Sequence, residues 1–255
     1  MQHKPKFKFY ASLLDNFWGY ENSDSIWEQY WGFSENPKYT PEEFHELKFQ
    51  SLIDSINRVP FDSEAADRGT AFNEVIDCVV LHQNSTKMKI TTVKDEYGRV
   101  SGVKARYNGR EFYFPIALVR EVADYYKGAL CQQYVQAILP TAFGDVMLYG
   151  YIDYLMPFMT CDLKTTGQYK GVGSFKNHFQ HLVYPYALLK NGCNVAEFEY
   201  NIVEMGKTYF ETYTESYLFR PERDVPYLQE NCEELIKFLN ENRSLIKNEK
   251  IFGLR

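Results

Sequence analysis

The sequence predicts an α/β fold, a mixed β-sheet flanked by helices, and three observations carry that reading. Apolar residues recur at helical spacing in some stretches and alternate in the strand manner in others. Turn residues punctuate the alternating stretches. The order along the chain, helices, several strands, a helix and more strands, is that of helices packed on the faces of one sheet.

Residues 1–62 are rich in aromatic side chains and mostly helical in pattern. Within them, PEEFHELKFQSLIDSIN places Phe44, Leu47, Leu52, Ile53 and Ile56 near one face, behind a Thr40-Pro41 start. After Pro60, SEAADRGTAFNEVIDCVVLHQ predicts a second helix with Phe72, Ile76 and Val79 inward. Residues 86–114 alternate around DEYGRV and RYNGRE, the turns of a meander. FPIALVREVADYYKG predicts a short helix stopped by Gly128, and strands follow through Thr166. SFKNHFQHLVYPYALLKNG predicts a helix with a packing stripe of Phe175, Phe179, Leu182, Tyr186 and Leu189. VAEFEYNIVEM and KTYFETYTESYLF pair as strands, and PYLQENCEELIKFLNENRSLIK closes the chain as an amphipathic helix. Three segments result: a helical extension (1–62), a core (63–220) and a C-terminal helix packed on it (221–255).

At 255 residues the chain can bury a sizeable core. No apolar run approaches a membrane span, and the basic start MQHKPKFKFY lacks a signal-peptide core, so a cytoplasmic protein is expected. Cys78, Cys131, Cys161, Cys193 and Cys232 stand far apart without a C-x-x-C pair, which argues against a disulfide framework, a zinc site or an iron–sulfur cluster. A net charge of -6 argues against a general nucleic-acid coat, so any DNA contact must come from a local basic patch.

The stretch GYIDYLMPFMTCDLKTT carries the chemistry. It reads as two strands folded at Met156-Pro157-Phe158, each with an aspartate in its apolar half. A turn centred on Pro157-Phe158 sets Asp153 directly opposite Asp162, with Cβ atoms roughly 4.5–5.5 Å apart. Like charges at that distance repel unless a divalent cation lies between them. Lys164, two residues beyond Asp162, returns to the same face. Two carboxylates and an ammonium at one sheet end suit Mg²⁺ or Mn²⁺. The tripeptide Glu46-Leu47-Lys48 has the same composition, but lies in a helix without an acidic partner.

These residues resemble the motifs of the PD-(D/E)XK phosphodiesterase superfamily, in particular its RecB-like and lambda-exonuclease-like branch. GYID (150–153) is similar to the first motif, DLK (162–164) to the second, and QHLVY (180–184) to the Q-x-x-x-Y helix; RGTAFNEVID is similar to the G-T-x-x-H-E helix. The resemblance implies a restriction-endonuclease-like core and a metal-dependent deoxyribonuclease, an exonuclease of phage or recombination type. Asp153, Asp162 and the Leu163 carbonyl would hold Mg²⁺ or Mn²⁺, Lys164 would serve the chemistry, and Gln180 with Tyr184 would position the strand. Asn73 or Glu74 stands where a metal-facing histidine is common, and the cluster-binding cysteines of some relatives are missing, so no iron–sulfur cluster is expected. DNA, as single- or double-stranded ends, is the implied partner; a recombination single-strand annealing protein and an oligomer are compatible with it.

Lys170, Lys176, His178 and His181 form a local basic cluster suited either to DNA phosphates or to a solvated helix face. Trp18, Trp27 and Trp31 suit core packing better than base stacking. A rival reading keeps the fold as a non-catalytic nucleic-acid-binding or assembly module. Retention of both aspartates and the lysine favours the enzyme.

Overall fold

The computed structural model describes residues 5–206 and 209–253; residues 1–4 and 254–255, and Lys207 and Thr208 of the expected strand at 207–219, lie outside the described residues. Seven α-helices and nine strands, among the described residues, build a mixed sheet flanked by helices. The chain opens with strand β1 (Phe7–Tyr10), then α1 (Ala11–Glu21), α2 (Ser23–Trp31) and α3 (Pro41–Asn57). Sequence periodicity sees only helices there, because four residues are too few to show a period. β1 pairs in parallel with the main sheet, so the first segment contributes to the core instead of lying outside it.

Local chemistry sets most element ends. Thr40 and Glu43 form a capping box ahead of Pro41, and α3 stops at Arg58 in the left-handed region (φ 54°). Ser63 caps α4 (Glu64–Val80). β2 (Lys89–Lys94), β3 (Val100–Tyr107) and β4 (Arg110–Pro115) form the expected meander as a separate three-stranded sheet. Its second turn uses Asn108 (φ 46°) and Gly109 (φ 78°), the two positive angles that a tight hairpin needs. α5 (Ile116–Tyr125) leads into β5 (Leu130–Leu139), β6 (Val146–Leu155) and β7 (Met159–Thr166); α6 (Gln180–Lys190), β8 (Glu197–Met205), β9 (Phe210–Leu218) and α7 (Pro221–Glu241) follow.

The main sheet has six strands in the order β1-β6-β7-β8-β9, with β5 on the other edge of β6. β5–β6, β6–β7 and β8–β9 pair antiparallel, whereas β1–β6 and β7–β8 are parallel. One core lies between this sheet and α1, α3, α6 and α7, and includes Phe9, Leu13, Leu148, Val183 and Leu235. A second, with Phe72, Phe114, Tyr126 and Tyr154, lies on the opposite face beneath α4, α5 and the small sheet.

Several inward positions differ from the helical-wheel reading. Leu47 is exposed on α3; on α4, Val79 is exposed and Val75 is buried in its place. Residues 172–177 form turns and α6 starts only at Gln180, so its stripe is carried by Leu182, Val183, Tyr186 and Ala187, while Leu189 is exposed. Trp27 donates to the Tyr39 carbonyl (2.7 Å), and Trp31 packs edge-on against Phe44. No helix among the described residues is long and apolar enough to cross a membrane.

Candidate functional site

The site lies where the sheet splits. β6 pairs with β1 through Val146–Tyr149 and with β7 only at Tyr154 and Leu155, so its edge from Gly150 to Asp153 is paired with neither strand. The hairpin register is the expected one, Tyr154 opposite Cys161 and Leu155 opposite Thr160, but the ladder ends just before Asp153 and Asp162. Asp153 Oδ2 instead accepts the Leu163 amide hydrogen at 3.1 Å, so a side chain closes the point where the strands diverge.

A backbone distortion aims Asp153 there. Ile152 belongs to the core beneath α6, and Tyr154, two residues on, to the opposite core, so β6 rotates between them. Across from Asp153, Gln132 of β5 has φ 52°, a conformation disfavoured for a non-glycine residue, and that pair is missing from an otherwise continuous ladder. The rotation is anchored behind the sheet: Tyr154 donates to Asp77 of α4 (2.8 Å) and stacks on Tyr126 at 3.7 Å.

On β7, Asp162 is buried and its Oδ2 lies 2.7 Å from Lys164 Nζ in an ion pair that is off hydrogen-bond geometry. Gln180, the first residue of α6, joins the two groups: its Oε1 accepts from Lys164 Nζ at 2.7 Å, and its Nε2 donates to Asp162 Oδ1. Burial lowers the proton affinity of Lys164, but the adjacent Asp162 outweighs it and keeps the ammonium charged above the usual lysine range. Asp153 shows the opposite behaviour. Desolvation first, then the charge of Asp162, pushes its carboxyl up to about 8.

Tyr184 follows Gln180 by one helical turn and is buried; its hydroxyl lies 3.4 Å from Gln180 Nε2. Its ring fills the space above Gly150, where a Cβ would stand 2.6 Å from Tyr184 Cε1. A glycine in the GYID stretch is therefore required by the tyrosine of QHLVY. Gly69 of α4 likewise allows close approach to β7, since a Cβ there would meet Thr165 Oγ1 at 2.7 Å. That approach brings Asn73 to the Leu163 carbonyl, to which its Nδ2 donates at 3.3 Å. Glu74 points elsewhere: it accepts from Ser85 (2.7 Å) and pairs with Lys87 (2.6 Å), holding the loop after α4. Of the two residues left open by sequence, only Asn73 lines the groove with the aspartates.

The donor set suits a hard cation. Asn73 Oδ1 is a buried acceptor atom without a hydrogen-bond partner, and it occurs beside Asp162, whose Oδ2 is ion-paired with Lys164, a second carboxylate and a backbone carbonyl. A buried acceptor left in this way is rare and costly, and one or two carboxylates, with water and substrate phosphate completing the shell, are what Mg²⁺ takes. Among the described residues no group of three or more His, Cys, Asp or Glu side chains could hold a metal, so the fit rests on the mixed carboxylate, amide and carbonyl set.

The expected basic cluster does not assemble here. His181 is buried, stacked on Tyr217 at 4.3 Å and 3.3 Å from the Tyr200 hydroxyl; burial pulls its pKa down to about 4. His178 pairs with Asp15 of α1 (3.2 Å), whose other oxygen accepts the Phe179 amide hydrogen ahead of α6. Lys170 lies 3.8 Å above the Tyr30 ring, and Lys176 is exposed outside the groove. A period in sequence could place these residues only on a helix that starts earlier than α6 does.

The groove is large, about 1570 Å³, with Asp153, Asp162, Lys164 and Gln180 on one side and the outer surface of α3 on the other. No family model and no curated protein matches the sequence. A solved structure described as the crystal structure of SSO0001 is similar at a TM-score of 0.44 and 10% identity, over 92% of this chain and 78% of that one.

Proposed function

We propose that the chain is a divalent-metal-dependent phosphodiesterase acting on DNA, with a restriction-endonuclease-like core of the PD-(D/E)XK kind. The observation that supports this best is the set Asp153, Asp162, Lys164 and Gln180 at the split in the sheet, with the buried Asn73 Oδ1 beside it lacking a hydrogen-bond partner. Asp153, Asp162, the Leu163 carbonyl and Asn73 Oδ1 would hold Mg²⁺ or Mn²⁺, which when bound polarises a phosphoryl oxygen and lowers the pKa of water. Lys164, charged and held by Gln180 and Asp162, presents an ammonium to the charge that develops on the phosphate. Gln180 fixes both side chains from a helix terminus, and Tyr184 restrains Gln180 while burial keeps its phenol neutral. The asymmetry of the two carboxyls is useful: Asp153 can give up its proton when a cation arrives, so the apo site avoids two adjacent buried charges.

The test is DNA labelled at its 5′ or 3′ end, single- and double-stranded, incubated with Mg²⁺ or Mn²⁺ and with EDTA as control. Metal-dependent cleavage lost in Gln180→Ala, with Mn²⁺ affinity nearly unchanged by calorimetry, is the expected result. Cleavage at the wild-type rate by Gln180→Ala on every DNA form would refute the assigned role of α6. No cleavage by the wild-type protein on any form would leave the non-catalytic module.

A further inference from the structure

The groove continues onto the sheet face that α4 and α5 leave open. Tyr134 of β5 and Tyr151 of β6 project there, 50% and 57% exposed, with ring centroids 5.2 Å apart and planes tilted by 55°. Tyr10 and Tyr149 form a similar tilted pair at 5.9 Å. These four rings line a cleft of about 370 Å³ whose charged members are Lys8, Arg58 and Lys250. Among the described residues no carboxylate lines it, in a chain with 34 acidic and 28 basic side chains. Charge of one sign concentrated against the net charge of the protein marks a surface for an anion.

Two features join this cleft to the aspartates. Tyr10, Arg58, Tyr149 and Tyr151 line both the cleft and the groove, and the edge of β6 from Gly150 to Asp153, unpaired with β1 or β7, runs from Tyr151 of the cleft to Asp153 of the groove. The other wall of the groove, on α3, carries Glu43, Glu46 and Asp54 and repels a polyphosphate. A chain of phosphates near Asp162 is therefore led past Arg58, whose guanidinium is placed by the Tyr149 hydroxyl (2.7 Å) and the Tyr10 ring.

We propose that this cleft binds single-stranded DNA, with unpaired bases on Tyr134 and Tyr151 and phosphates at Arg58 and Lys250. Exposed ring faces beside cations suit bases whose own faces are free, which a duplex does not offer. The direction of the strand, toward Asp153 and Asp162, rests on the phosphodiesterase reading; the binding itself does not.

Fluorescence anisotropy of a labelled dT₂₀ in EDTA measures binding without cleavage, with a 20-base-pair duplex as the second arm. Tyr134→Ala/Tyr151→Ala should weaken dT₂₀ binding at least tenfold, and Tyr134→Phe/Tyr151→Phe should bind as wild type, because the ring and not the hydroxyl stacks. Lys250→Glu should weaken binding and flatten its salt dependence by about 0.7 in log–log slope for each phosphate the protein no longer neutralises. Lys94→Glu on the small sheet makes the same charge change elsewhere and should have no effect. Equal affinity of the alanine variant and wild type, preference for the duplex, or an equal loss in Lys94→Glu would overturn the proposal. Thermal melting of each variant shows that the half-exposed substitutions leave the fold intact. If dT₂₀ binding responds to the tyrosine and lysine variants as expected while the wild-type protein cuts no DNA with Mg²⁺ or Mn²⁺, the phosphodiesterase reading fails and the cleft stands; cleavage by the wild type with dT₂₀ binding unchanged in the alanine variant removes the cleft alone.

Discussion

Gly150→Ala is the most direct test of how the two halves of the site are assembled. The new Cβ would lie 2.6 Å from Tyr184 Cε1 and 3.1 Å from its hydroxyl oxygen, so the ring must move by roughly 1 Å to reach ordinary contact. Tyr184 is buried against the core beneath α6 and cannot swing into solvent. Overpacking of this kind costs about 1–3 kcal/mol, and the reduced freedom of the unfolded chain returns about 0.4–1 kcal/mol. The expected net loss centres on about 1.3 kcal/mol, a fall in Tm of roughly 3–5 °C for a domain of this size. Displacement of Tyr184 also releases Gln180, so cleavage should fall further than stability does. Urea titration of Gly150→Ala, Tyr184→Ala and the double variant completes the cycle: with the ring absent the alanine is harmless, and the double variant should be less destabilised than the sum of the singles by about 1–2 kcal/mol. A Gly150→Ala protein that melts at or above wild type, or single effects that add, would refute the idea that GYID and QHLVY are coupled by this contact.

Asp162→Asn should abolish metal-dependent cleavage with little change in stability, because it removes the like-charge repulsion on Asp153; marked unfolding would identify a structural ion pair instead. Lys164→Ala should retain Mn²⁺ binding by calorimetry and lose cleavage, and loss of Mn²⁺ binding would count against its role. Since the Asp153 carboxyl titrates at about 8 in the apo protein, Mn²⁺ loading near pH 6.5 should release close to one proton, with affinity rising about tenfold per pH unit up to that value. Calorimetry in buffers of different ionisation heat counts the proton, and a count of zero would contradict the assignment. By the same shift, a folded value above the unfolded one, the contribution of Asp153 to apo stability should be full below the ordinary aspartate range and be lost as pH rises through about 8. His181 acts in the opposite sense: its folded value is lowered to about 4, chiefly by burial and against the pull of Asp224, so its contribution is full above the unfolded value near 6.5 and lost as pH falls toward 4. That loss amounts to roughly 3 kcal/mol, and His181→Phe should remove the slope in urea titrations across that window; an unchanged slope would assign it to other groups.

What was legible in the sequence is what short-range physics determines. Capping at Thr40, the Asn108-Gly109 turn and the alternation around Met156-Pro157-Phe158 depend on residues a few positions apart, and α3, the meander and the hairpin register follow from them. The choice of Asp153, Asp162, Lys164, Gln180 and Tyr184 was likewise open to a reader of motifs, and the structure brings all five into one groove. Tertiary structure decided how they meet. Asp153 reaches the site through a rotation of β6 that requires Gln132 on another strand and Asp77 on α4, and alternation along one strand contains neither. It also separated Asn73 from Glu74 and sent His181 into the core. The tyrosine cleft draws on positions 8, 10, 58, 134, 149, 151 and 250; residues so far apart become neighbours only when strands from distant parts of the chain pair, and no local pattern records which strands will do so.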